Sequence, residues 1–136
     1  MTVFVDTSAF IAILNADDRF HPSASQTWER LVRSEERLAC NNYILVETLA
    51  LLQSRFGLDA VQVFQDNIGP VIDVHWIDPE THQRATSALL AAVWRDLSLV
   101  DCASFETIRR LGIRQIFTFD PHFLEYGFQV IPENRD

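Results

Sequence analysis

The sequence contains no lysine; all 11 of its basic residues are arginine. That absence excludes mechanisms built on a catalytic lysine. Cysteine is nearly as scarce. Two residues, Cys40 and Cys102, make no disulfide framework. The four histidines lack the spacing of a zinc site, and none pairs with a cysteine motif. Glycine and proline number four and five and fall where elements would end. No linker, repeat or low-complexity tract stands out. No apolar run approaches the roughly 18 residues of a membrane span. The longest, Ala85 to Trp94, is short and lies between Arg84 and Arg95. The N-terminus has no basic stretch followed by an apolar segment and cleavage site. The expectation is a cytoplasmic protein with no membrane association.

What is present is enough for a core. The chain has 136 residues, 48% hydrophobic and 22% charged, which suits one domain over residues 1–136 and argues against disorder. The formal charge is −8, with 19 acidic residues. This balance works against simple electrostatic attraction of nucleic acid. A phosphate backbone would have to be met by a local arginine cluster or through a metal ion.

Strand-like and helix-like segments alternate, which predicts a parallel sheet covered on both faces. Thr2 to Val5 reads as a strand ending at Asp6, followed by a helix over Thr7 to Leu14. His21-Pro22 opens a second helix, with Trp28, Leu31 and Val32 at helical spacing. Arg37 to Cys40 is a short strand. Asn41 and Asn42 cap a helix to about Phe56, which Gly57 stops. Asp59 is expected to cap a helix to about Ile68, before Gly69-Pro70. Val71 to Ile77 alternates as a strand. Asp78-Pro79 caps the next helix, whose inward face would carry Ala85, Leu89, Ala92 and Val93. Ser98 caps another, ending at Gly112. Gln115 to Phe119 reads as a buried strand ending at Asp120. One helical turn over Pro121 to Tyr126 and a strand over Phe128 to Ile131 complete the pattern.

Four acids stand out against the surface clusters Asp17-Asp18, Glu35-Glu36 and Glu133. Asp6 and Asp120 each follow an apolar strand, at the edge where open α/β sheets bind ligands. A helix N-cap would account for either one alone. Glu47 has Tyr43, Ile44, Ala50 and Leu51 at i−4, i−3, i+3 and i+4, so its carboxylate emerges from an apolar face. Burying it unpaired would cost several kcal/mol, so it requires a partner; a buried arginine is the competing reading to a metal. Asp101 shares a stripe with Phe105 and Ile108, in the first turn after Ser98. There the helix dipole favours negative charge, and a local salt bridge or a capping role is the competing reading. Four converging acids repel one another, and a hard divalent cation relieves that repulsion. Oxygen-only ligation points to Mg²⁺ or Mn²⁺. His122 is the histidine nearest this group in sequence.

These residues carry a family resemblance across nearly the whole chain. Val5-Asp6-Thr7-Ser8, Val46-Glu47, Leu97-Ser98-Leu99-Val100-Asp101 and Thr118-Phe119-Asp120-Pro121-His122-Phe123, followed by Gly127-Phe128, resemble the PIN-domain family in order and spacing. The nearest kind is the small stand-alone bacterial type that includes VapC-like toxins. The resemblance implies a three-layer α/β/α sandwich with a central parallel sheet. It implies a Mg²⁺- or Mn²⁺-dependent endoribonuclease leaving a 5′-phosphate and a 3′-hydroxyl. Asp6 and Asp101 would be the firmest metal ligands, with Glu47 and Asp120 completing the pocket and Ser8 and Ser98 supporting it. It also implies an RNA substrate, a small antitoxin protein and a homodimer; apolar residues on the first helices, such as Phe10, Ile13 and Phe20, would serve that interface where exposed, with core packing the favoured reading for most of them. Arg109, Arg110 and Arg114 are candidate phosphate contacts; a solvated helix end is their competing reading.

Two other classes compete. A phosphoaspartyl enzyme with Asp6 as nucleophile would need a second Asp where Ser8 stands, or a late lysine that is absent. A PIN-like domain that binds RNA or protein without cutting fits the acidic charge, but the complete set of acids opposes it.

Overall fold

The computed structural model describes residues 1–93 and 96–133. Trp94 and Arg95, at the end of the apolar run noted above, lie outside the described residues. Among those described, five strands form one all-parallel sheet: β1 (Thr2–Val5), β2 (Arg37–Asn41), β3 (Ile72–His75), β4 (Gln115–Phe117) and β5 (Gln129–Ile131). Their order is β3-β2-β1-β4-β5. The chain winds outward from β1 through β2 to β3, then returns to β4 on the other side of β1. The order therefore reverses between β1 and β4, where open α/β sheets leave a crevice at the carboxyl ends of the strands.

Helices cover the sheet: α1 (Thr7–Leu14), α2 (His21–Arg33), α3 (Asn42–Phe56), α4 (Leu58–Asn67), α5 (Pro79–Ala91), α6 (Leu99–Leu111) and α7 (Pro121–Glu125). The central strand has no polar face: Val3, Phe4 and Val5 are all fully buried, as a strand covered on both sides must be. The edge strand β3 instead alternates, with Asp73 and His75 exposed, and charge there discourages pairing with another chain. The core joins Phe4, Phe10, Phe64, Phe117 and Phe123 with Leu31, Leu52 and Ile108. The three-layer parallel fold expected from the alternation is present.

Several boundaries differ for local reasons. Gly57, at φ +86°, ends α3 and also begins α4, so Asp59 lies in the first turn of α4 and is not its cap. A 3₁₀ turn at Gly69–Val71 takes the first residue expected in β3. The strand stops at His75, and the Ile77 N–H then donates to the Asn42 side chain. β4 ends two residues early because the Phe119 N–H donates to Ser8 Oγ and not to a strand. β5 begins at Gln129, since the Phe128 N–H donates to the Phe123 carbonyl that ends α7. α5 ends at Ala91, which leaves Val93 beyond it and exposed. Val32 of α2 also faces outward. Phe10 is no surface residue: it is fully buried and meets Phe64 edge-on with ring centroids 5.3 Å apart. Ile13 and Phe20 pack against the same core.

Candidate active site

The crevice between the ends of β1 and β4 is built from helix caps. Asp6 follows β1 and caps α1; its Oδ2 accepts from Ser8 Oγ at 2.8 Å, Thr118 Oγ1 at 3.0 Å and the Ser8 N–H at 3.3 Å. Ser8 and Thr118 also touch each other at 3.1 Å, and Ser8 Oγ receives the Phe119 N–H at 2.9 Å. These two hydroxyls tie the β1–α1 turn to the chain leaving β4. Asp120 caps α7 through the His122 N–H at 3.0 Å, with Pro121 at the first helical position. Asp101 forms a reciprocal capping box with Ser98: each accepts the other's backbone N–H at 3.0 Å. Glu47 comes from α3, one and a half turns in, beside Thr48, whose hydroxyl donates to Thr7 at 3.1 Å.

All four acids line one open pocket of about 340 Å³ with Thr7, Ser8, Phe20, Arg55 and Phe119 among its walls. The N-cap readings of Asp6, Asp101 and Asp120 are therefore correct as local structure, and the pocket exists as well. Capping uses only part of each carboxylate. Among the described residues no arginine comes within ion-pair distance of any of the four.

The electrostatics follow from that lack. Burial pushes the Asp6 carboxyl up from an ordinary 3.8 to about 6. The hydroxyls of Ser8 and Thr118 pull it down, and the charges of Asp120 and Asp101 push it further up. Burial also raises Glu47, against a hydrogen bond from Thr7 and with the charges of Asp101 and Asp120. Asp101 is raised by burial, which outweighs its hydrogen bonds to Ser98. Neutral hydroxyls and N–H groups thus hold the acids in place without cancelling their charge.

His122 adds a nitrogen that oxygen-only ligation did not anticipate. Its Nδ1 lies 2.9 Å from Asp120 Oδ1 and 3.7 Å from Asp101 Oδ2. This nitrogen is buried, and among the described residues no hydrogen-bond partner is aligned with it. One ligand atom each from Asp101, Asp120 and His122 fall within 4.8 Å of one another. A divalent cation fits this donor set: it would neutralise the crowded acids and give the orphaned Nδ1 a partner.

The other expected residues divide. Ser8 and Ser98 support Asp6 and Asp101 directly. Arg109, Arg110 and Arg114 are not brought to the pocket. Arg109 lies over the rings of Phe105 and Phe128. Arg110 bonds Asp78 at 2.9 Å and Thr81 at 3.1 Å. Arg114 lines a separate depression with Met1 and Gly112. The cation in the pocket wall is Arg55, two turns beyond Glu47 on α3. The i+8 spacing from Glu47 was its only sequence signal. Thr118 gave none beyond its place at the start of the motif that runs to Phe123.

Comparison with known proteins agrees with this geometry. A PIN domain model matches residues 3–129. The 23S rRNA-specific endonuclease VapC20 of Mycobacterium tuberculosis is 32% identical over 133 residues, covering 96% of this chain and 99% of that protein. Its crystal structure, described as that of a sarcin–ricin loop cleaving toxin, superposes with a TM-score of 0.82 at 31% identity, over 93% of this chain and 95% of that one. The VapBC2 structure from Rickettsia felis, solved with a promoter DNA fragment, shares the fold: TM-score 0.72, 11% identity, 96% of this chain and 97% of that one. With four acids at the switch point of a five-stranded parallel sheet, and a family match spanning most of its length, the chain belongs to the PIN-domain family.

Proposed function

We propose that this protein is a divalent-metal-dependent endoribonuclease that hydrolyses RNA phosphodiester bonds as the toxin of a type II toxin–antitoxin pair. The observation that carries the reading is the meeting of Asp6, Glu47, Asp101 and Asp120 in one pocket with no arginine among the described residues paired to any of them. Such a cluster is stable as a cation site and costly otherwise. The similarity to an rRNA endonuclease over nearly the full length of both chains supports the reaction and the RNA substrate.

Asp101 and Asp120, with His122 Nδ1, would hold one cation, and Asp6 faces the same space from β1. Mg²⁺ and Mn²⁺ both suit the carboxylates; the nitrogen favours Mn²⁺. A bound divalent cation supplies charge neutralisation at the scissile phosphate and a lowered pKa for an attacking water. Glu47, raised by burial and free of the cap contacts that occupy Asp101 and Asp120, is placed to orient that water and accept its proton. Ser8 and Thr118 keep Asp6 in a single orientation, and Ser98 does so for Asp101. The antitoxin and a homodimer partner belong to the same reading. Exposed Val46, Phe56, Leu58 and Val63 on α3 and α4 offer them apolar surface.

Purified protein incubated with 23S rRNA and with unrelated RNA should cut in Mn²⁺ and stop with a chelator. Asp101→Asn should be inactive in the same assay. Undiminished metal-dependent cleavage by that variant would sink the assignment.

A further inference from the structure

The carboxylate pocket has two walls that the metal reading leaves unused, and they differ in chemistry. One is aromatic. Phe20 stacks on Phe119 with centroids 4.7 Å apart and planes 10° from parallel, and both line the pocket. The Arg19 guanidinium lies over Phe20, 5.0 Å from its centroid, on an exposed side chain. The loop holding this stack is pinned: Asp18 Oδ1 accepts the Phe20 N–H at 2.8 Å, and the His21 N–H donates to the Asp18 carbonyl at 3.0 Å. The other wall carries Arg55. It is exposed, its guanidinium has no carboxylate within ion-pair distance among the described residues, and it stands about 12 Å along α3 from Glu47.

An acidic pocket in an acidic protein attracts RNA poorly. A metal ion meets one phosphate; the rest of the strand needs its own contacts. Single-stranded bases stack on aromatic rings and guanidinium planes, and a free arginine pairs with phosphate. Phe20 is half-buried against the buried Phe119, and the exposed Arg19 side chain lies over its ring; a base that slips beneath that guanidinium meets a ring plane on one side and a cation on the other. An arginine left unpaired across a pocket rich in acids has the chemistry of a phosphate contact.

We infer that the RNA strand is gripped at two points flanking the acids: a base next to the scissile phosphate stacks on Phe20, beneath Arg19, and a neighbouring phosphate is held by Arg55. This rests on the nuclease reading above and names how that site takes its substrate. The cleaved position thus lies in an unpaired stretch of RNA, because a base in a duplex cannot reach the ring.

Steady-state cleavage in Mn²⁺ of an RNA oligonucleotide that the wild type cuts, carrying 2-aminopurine beside the cleaved bond, tests this. Phe20→Leu keeps apolar volume against Phe119 but removes the plane. It should raise KM about tenfold with kcat little changed and abolish the quenching of 2-aminopurine expected on wild-type binding. Phe20→Trp should restore both. Arg55→Ala should raise KM by a similar factor and lower the slope of log affinity against log salt by about one. Arg55→Lys should recover the slope. Thermal melting confirms that each variant is folded. Parity of either Phe20→Leu or Arg55→Ala with an active wild type overturns the two-point grip alone. A wild type that neither binds nor cuts single-stranded RNA overturns the nuclease reading with it.

Discussion

Asp6 and Asp78 start from the same local instruction. Each follows a parallel strand, takes an extended backbone conformation and caps the next helix with its side chain. Their surroundings then diverge. Asp78 is half-exposed; it accepts the Thr81 N–H at 2.8 Å and an Arg110 guanidinium N–H at 2.9 Å. Hydrogen bonds to Thr81 and then Arg110 hold its carboxyl down at about 2. Asp6 rises to about 6, chiefly because it is buried; among the described residues its side chain receives neutral hydroxyls and one N–H, and it feels the charges of Asp120 and Asp101. A cap residue with a fixed cation beside it is finished as a structural element. One surrounded by other acids keeps an unmatched charge that the proposed cation would offset. Among the described residues, an arginine at one site and none at the other divide a paired acid from an unpaired one.

The largest effect that separates the two regions is on cleavage. Asp6→Asn and Asp101→Asn should lower the rate on the order of 100-fold or more, because a ligand is lost with its charge. Asp78→Asn should leave the rate unchanged and only lower the melting temperature by a few degrees through a weakened cap. A cleavage assay beside thermal melts reads both. Equal loss of activity in Asp78→Asn and Asp101→Asn would erase the distinction.

The next effect is on stability against pH, and the two acids have opposite signs. Asp6 has a folded value of about 6 against an ordinary 3.8, so the folded state holds its proton more tightly. Its contribution is fully present below the ordinary value and is lost as pH rises through the folded one, on the order of 3 kcal/mol in all. Asp78, at about 2, contributes above its ordinary 3.8 and loses that contribution as pH falls toward 2. Metal-free protein should therefore melt at a lower temperature near neutrality than at the acid side of the Asp6 transition. Asp6→Asn should flatten that limb, and Mn²⁺ should restore stability near neutrality. If the metal-free melting profile around the Asp6 transition is indifferent to Asp6→Asn, the burial argument is wrong.

A smaller effect distinguishes metals. Substituting His122 by Asn removes a nitrogen donor while all four carboxylates remain. Mn²⁺ affinity, measured by calorimetry, should fall on the order of tenfold, with Mg²⁺ affinity changing less. Equal losses for both ions would assign His122 to holding Asp120 and not to the cation.

Much of the fold could be read because it is encoded in short windows. Asp78-Pro79 announced α5, Asn41 announced α3, and the apolar triplet Val3-Phe4-Val5 announced a strand buried on both faces. The acids Asp6 and Asp120 were visible because strand ends and caps are local too, and Glu47 and Asp101 because a carboxylate on an apolar helix face is a conflict within one turn. What escaped depended on tertiary approach. Thr118 matters through Ser8 and Asp6, which are 110 and 112 positions away in the chain. Arg55 enters the pocket only because α3 packs against α1, the helix that follows Asp6. Arg109 and Arg110 looked free in the sequence, yet rings and Asp78 occupy them. The β4 end was misjudged for the same reason: a serine on α1 captures the backbone that the apolar run had assigned to the sheet.

Arg110 gives the smallest expected effect and the sharpest control. Its pair with Asp78 is exposed on both sides, with side chains 62% and 42% accessible, so water screens most of the attraction. Arg110→Ala should shift the melting temperature by no more than about two degrees. It should raise the Asp78 pKa by removing one of its donors while Thr81 keeps the rest, and leave KM for RNA unchanged. A rise in KM matching that of Arg55→Ala would mean that the RNA path runs past α6 as well. Arg110 would then be a substrate contact that Asp78 merely holds between encounters. Without such a rise, the two arginines differ as the two aspartates do: one paired within the fold and silent in turnover, the other left unpaired where the substrate passes.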